Sequence, residues 1–143
     1  MADGLSKEER DAVKERAKEL RAQEKAGKNR EAGLKAVRDA IDALGDEDKA
    51  LADGLHEIVS EVAPQLVPKT YYGMPGYANA DGKIVVFMQP AGKFKTRYST
   101  VGFEGTANLD EGDMWPTAFA LLTLTPETRA KLTELVKKAA PAR

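Results

Sequence analysis

The sequence predicts an α+β fold in which N-terminal helices lead into a four-stranded, mainly antiparallel sheet closed by a C-terminal helix. Three observations carry this expectation. Apolar residues recur at spacings of three and four between positions 34 and 62, the pattern turns extended and is punctuated by turn residues over 70–124, and a Thr-Pro start opens a last amphipathic run.

Ser6 and Glu9 form a capping-box pair for the first helix. The charged run that follows reaches Lys25, with Val13, Ala17 and Leu20 as its single helical-period apolar stripe. Such a helix has little to bury, and its mixed-sign surface is expected to be solvated. Organisation changes near Gly27, dividing the chain into a charged helical extension (1–27) and an α+β domain (28–143). Leu34, Val37, Ile41 and Leu44 define a second helix stopped by Gly45. Asp46 suits the cap of a third, whose stripe of Leu51, Leu55, Ile58, Val59 and Val62 ends before Pro64. Asp81-Gly82 is a two-residue hairpin signal after a short extended segment ending at Asn79. The unbroken apolar run 84–88 then predicts a central strand covered on both faces. Residues 90–93 make the next turn, 96–103 a third strand and 118–124 a fourth. Thr125 and Pro126 start the final helix, which buries Leu132, Leu135, Val136 and Ala139 and places Lys137 and Lys138 where the helix dipole favours cations.

Composition narrows the partners. With 22 basic and 23 acidic residues in 143, the net charge of -1 provides no overall field to attract duplex nucleic acid or an anionic membrane. Cysteine is absent, which removes disulfides, thiolate nucleophiles and Cys-based metal sites. No apolar run reaches membrane-spanning length and MADGLSKEERDAV has no apolar core of signal-peptide kind, so a cytoplasmic location without membrane association is expected.

The segment 70–103 interleaves aromatics, glycines and basic residues, and it is where a pocket is expected. In YGMPGY, Gly73 and Gly76 tolerate positive φ and close approach while Pro75 fixes its own φ. The bland reading is a tight strand entry with Tyr71, Tyr72 and Tyr77 packed on the sheet; the functional one makes Tyr72, Met74 and Tyr77 pocket walls with polar tips. Lys93, Lys95 and Arg97 alternate at period two, so a strand extending back through Lys93 sets all three cations on one face. That ladder suits a carboxylate or phosphate, or equally an edge strand protected by charge. Tyr98 and Trp115 complete the candidate ligand-binding set, although burial of Trp115 in the core explains it as well. GKFKT is not a phosphate-binding loop, because it lacks the upstream glycine and the Ser or Thr after the lysine.

Tyr72-Gly73-Met74-Pro75-Gly76-Tyr77, DGKIVVFMQ, GKFKTRYSTVGF and Trp115-Pro116-Thr117-Ala118-Phe119 together resemble the bacterial YdhG-like family of unknown function, over roughly residues 50–139. The resemblance implies a small α+β domain with an antiparallel sheet. One branch of that family is described as a frataxin-like iron chaperone, which makes iron the one metal the resemblance implies, handled by surface carboxylates.

The residues themselves assemble no catalytic set. His56, the sole histidine, lies at the polar boundary of the third helix, and one histidine supplies neither a facial triad nor a structural zinc site. Asp110, Glu111 and Asp113 lack the closing glutamate of a calcium loop, and Asp46, Glu47 and Asp48 suit a helix start. The expectation is a cytoplasmic binding domain for a small or anionic ligand, with iron handling and a protein-interaction module as alternatives, no cofactor read from the residues, and enzymatic activity held lowest.

Overall fold

Helices precede the sheet, as the change of period demands. The computed structural model describes residues 6–26 and 30–141, so the division near Gly27 falls outside the described residues. The elements are α1 (Lys7–Ala26), α2 (Arg30–Asp42), α3 (Asp46–Val62), β1 (Val67–Pro68), β2 (Gly76–Ala78), β3 (Ile84–Gln89), α4 (Ala91–Phe94), β4 (Ser99–Phe103), β5 (Ala118–Leu121) and α5 (Pro126–Ala139). The Ser6–Glu9 capping box forms, with Glu9 N donating to Ser6 Oγ at 3.1 Å and Ser6 N to Glu9 Oε1 at 2.9 Å. No helix among the described residues is long and apolar enough to cross a membrane.

The sheet has five strands in the order β1-β2-β3-β4-β5, all antiparallel, where four were expected. The extra strand, β1, is two residues long and ends in Pro68, so neither alternation nor length marks it; its pairing with Ala78 and Tyr77 makes it a strand. β3 is central, as the apolar run 84–88 requires. Its register slips by one residue opposite Tyr77 and Ala78, leaving Val85 between the partners of those two residues. A bulge of this kind turns two successive residues toward one side. Val85 and Val86 accordingly both join the core, together with Tyr77, Met88, Val101 and Phe103.

α2, α3 and α5 cover that face. Val37, Ile41, Leu55, Ile58 and Val136 are fully buried against it, and α5 begins on a Thr125–Thr128 capping box. Two boundaries differ from expectation. The N-cap of α3 is Gly45 in extended geometry without a side-chain bond, so Asp46 lies inside the helix. Strand β4 starts at Ser99, because residues 91–94 form a helical turn ended by Lys95 in the left-handed region at φ 56°.

On the opposite face, the Phe87 ring covers Gly102, where any Cβ would collide with it. Tyr71 packs on Phe87 with ring centroids 5.3 Å apart. This aromatic patch leads directly to the turn under α1.

Candidate functional site

Tyr71, Tyr72, Gly73 and Met74 make a two-residue hairpin. Tyr71 N donates to Met74 O and Met74 N to Tyr71 O, both at 2.8 Å, with φ of 52° at Tyr72 and 77° at Gly73. Positive φ at both central residues is the turn whose twist matches antiparallel strands. Glycine meets that need without strain, whereas a tyrosine is an unusual occupant, which marks the turn as more than a connection.

The outward groups of this turn are each held from a different element. Gly73 N donates to Glu19 Oε2 of α1 at 2.8 Å, and Lys93 Nζ of α4 donates to Gly73 O at 3.1 Å. The Arg16 guanidinium stands over both tyrosines, 5.1 Å from the Tyr71 ring centroid and 5.4 Å from that of Tyr72. Burial, reinforced by the Glu104 carboxylate, pushes the Tyr71 hydroxyl above its ordinary pKa. Glu15 lies 3.7 Å from Lys93 Nζ, and Glu8 lies 3.2 Å from Lys95 Nζ.

On the far side, Asp48 of α3 is buried and accepts from Gly92 N and Lys93 N at 3.1 Å each, fixing the start of α4. Its carboxylate thus serves α4 in addition to lying in the first turn of α3.

Between these pieces runs a cleft of about 680 Å³, lined by Glu15 and Glu19 on one side, Ala40, Ala43, Leu44 and Asp48 on another, and Gly73, Gly92 and Lys93 at its base. This volume is in the range of small-molecule sites. Within α1, Arg16 Nη1 and Glu19 Oε1 are buried and form an ion pair at 3.7 Å, a separation beyond hydrogen-bond range.

The residues expected to form one pocket are therefore distributed. Tyr72 and Lys93 lie at this junction, and Met74 is buried within the turn. Lys95 is a neighbour through its ion pair with Glu8. Tyr77 points into the core, 1% exposed, with its hydroxyl 3.0 Å from His56 Nδ1. Burial raises the Tyr77 pKa strongly and lowers that of His56, where Arg38 acts in the same direction and Asp53 and Glu57 oppose it. Arg97 stacks over Tyr98 at 5.1 Å, and the two line a separate shallow groove of about 380 Å³ with β5 and the start of α5. Trp115 is half-buried against the core. The period-two basic ladder does not form, because the helical turn and the left-handed Lys95 precede the strand; β4 is also an interior strand, so these cations guard no edge of it.

Glu15, Arg16, Glu19 and Asp48 were not among the expected site residues. Asp48 carried a signal, since it sits three positions before Leu51 on the buried stripe of α3. Nothing distinguishes Glu15 or Glu19 from the other charges of α1. Among the described residues, no group of three or more His, Cys, Asp or Glu side chains is arranged to hold a metal ion. Compared with known proteins, the chain matches no family model, no curated protein and no solved structure.

Proposed function

We propose that this chain is a cytoplasmic small-molecule-binding domain whose ligand enters the cleft between α1, the Tyr71–Met74 hairpin and the α2–α3 junction. The observation that carries the reading is the cleft itself, about 680 Å³ in volume, where the charged side chains of Glu15, Glu19, Asp48 and Lys93 meet apolar surface from Ala40, Ala43 and Leu44. The anionic form of the reading draws on Lys93, Lys95 and Arg97, each of which already has a partner: Gly73 O and Glu15, Glu8, and the Tyr98 ring. Iron handling rests on the YdhG-like resemblance alone.

The test is an amide NMR titration of the whole chain against a metabolite panel. Saturable shifts at Thr70, Gly73, Gly92 and Lys93, lost in Ala43→Trp, which fills the cleft, are the expected result. Shifts for no compound, or shifts indifferent to the filled cleft, overturn the proposal.

A second reading, a protein-interaction module, draws on a different observation. Val13 and Leu20 are 50% and 47% exposed and Ala17 lies between them, so the apolar stripe of α1 faces solvent. Size measurement across a concentration series tests it: concentration-dependent association abolished by Val13→Lys with Leu20→Lys supports self-association through the stripe, and an unchanging monomer removes that form of it.

A further inference from the structure

We infer that β5 is an association edge, through which a second copy of this chain pairs antiparallel about a two-fold axis at Phe119 and joins the two sheets. The surface is separate from the cleft and from the α1 stripe. The sheet ends on β1 and β5, and only the first of these edges is blunted. β1 is two residues long, ends in Pro68 and packs on α2, whose Gly33 lies so close to Pro68 O that a Cβ there would collide with it. Along β5, Phe119 and Leu121 turn to the core while Ala118 and Ala120 are exposed. The chain carries no charge from Met114 to Pro126, and Met114 and Leu122, flanking the strand, are 89% and 70% exposed. Charged side chains are a usual deterrent to pairing at an open edge, and here they are missing.

The register shows which backbone groups are open. Phe103 N donates to Thr117 O at 2.8 Å, and the pairing continues through Val101 with Phe119 and Ser99 with Leu121. Bonded and non-bonded pairs alternate in an antiparallel ladder, so Ala118 and Ala120 aim N–H and C=O away from β4. Among the described residues, nothing bonds to those outward groups.

A second copy fits this edge by its symmetry. With Phe119 on the axis, Ala118 exchanges both its bonds with the partner's Ala120, and Ala120 does the same with the partner's Ala118. An axis at Ala118 would set Ala120 against the partner's Pro116, which has no N–H, and an axis at Ala120 would need Leu122, beyond the end of the strand. The chosen register brings Leu122 opposite the partner's Pro116. Its charges are complementary as well. Asp113, exposed just before Met114, comes to the end of the partner where Arg97 lies beside Leu122 and Thr123. Neither Asp113 nor Arg97 has an ion pair within its own chain among the described residues.

The experiment follows the full chain by sedimentation over a micromolar-to-millimolar series, with hydrogen exchange at the Ala118 and Ala120 amides. A monomer–dimer equilibrium is expected, with exchange at both amides slowing as the dimer fills. Ala120→Pro removes only an outward N–H and leaves the β4–β5 ladder its bonds; Ala120→Lys, which adds a charge on the exposed face, serves if the proline disrupts the strand. Each should weaken the dimer roughly tenfold or more, since symmetry doubles every lost contact. Arg97→Glu should weaken it too, and adding Asp113→Lys should restore it; failure of that rescue overturns the Phe119 register. A monomer throughout the series, or growth past the dimer, overturns the proposal. So does association unaltered in both Ala120 variants, and its loss instead in Val13→Lys with Leu20→Lys moves the contact to the α1 stripe.

Discussion

Helices α1 and α3 are both amphipathic, yet they attach to the body by opposite faces. Helix α3 turns Leu51, Ala52, Leu55, Ile58 and Val59 inward, where they join the core with Val86, Met88 and Val136. Helix α1 turns inward Glu8, Ala12, Glu15, Arg16 and Glu19, a single helical face by their spacing, and leaves Val13, Ala17 and Leu20 in solvent. Among the described residues, none of α1 belongs to the core cluster. An apolar stripe identifies the buried face only where apolar burial is the attaching force. Where a backbone N–H, a pair of aromatic rings and two lysines supply the attachment, the polar face docks and the stripe is left over. The two junctions should therefore fail under different challenges: the α3 junction to cavities, the α1 junction to lost charge.

The largest effect is expected in the apolar region. Leu55 is fully buried in the cluster, and Leu55→Ala removes both its transfer free energy and its packing, costing about 2–5 kcal/mol of global stability. A urea unfolding midpoint that moves by less than the uncertainty of the measurement would break the assignment of α3 as the keystone of the core.

Next comes the α1 junction. Arg16→Ala removes a cation held over two rings, a loss of about 1–2 kcal/mol of docking. It should speed hydrogen exchange in α1 and at Gly73 while leaving the exchange of β3 at its original level. For the same reason, deletion of residues 1–29 should preserve cooperative thermal unfolding. Exchange that rises equally in α1 and β3 would mean that the two regions open together and that the contrast between them is one of chemistry alone.

How much of this was legible in the sequence follows the same division. Helices α2, α3 and α5 and strand β3 were readable because burial of apolar side chains both attaches them and sets their period. β1 was not, because two residues ending in proline become a strand only through their partner. The cations at 93, 95 and 97 alternate on paper, but the helical turn fixed by Asp48 and the left-handed Lys95 remove the alternation. At the site, the Tyr71–Met74 turn and Lys93 were legible from glycine and charge. The carboxylates of α1 were not, since a charged helix gives no internal sign of which residues meet a partner. Tyr77 was expected at a pocket and lies in the core, satisfied by His56, which a search for local partners along α3 does not reach.

The contact between buried Tyr77 and half-buried His56 supplies a pH test with a definite sign. The folded state lowers the His56 pKa, chiefly through burial, so below the ordinary value near 6.5 the unfolded chain binds more protons than the folded one. Stability should be fully present above that value and decline as pH falls through it toward the folded pKa. His56→Gln should flatten this slope relative to the parent chain. An equal slope in both, measured by urea unfolding between pH 7.5 and 5.5, would remove His56 as its source.

The smallest effect belongs to the rim of the α1 junction. The Lys95–Glu8 pair spans 3.2 Å, with the lysine side chain 77% exposed, and water and salt screen a pair so placed. The Glu8 carboxyl is nevertheless held below its ordinary pKa, first by its own backbone N–H and then by Lys95. A depressed acid contributes above its unfolded pKa and loses that contribution as pH falls through the folded value, so acid and salt should loosen the same contact. Lys95→Ala should leave the global unfolding midpoint unchanged and raise exchange in the first turns of α1 slightly, an increase that high salt reproduces in the parent chain. If Lys95→Ala instead freed α1 as completely as Arg16→Ala, the helix would be held by its exposed rim, and the Arg16–tyrosine stack and the Glu19–Gly73 bond would have to be secondary.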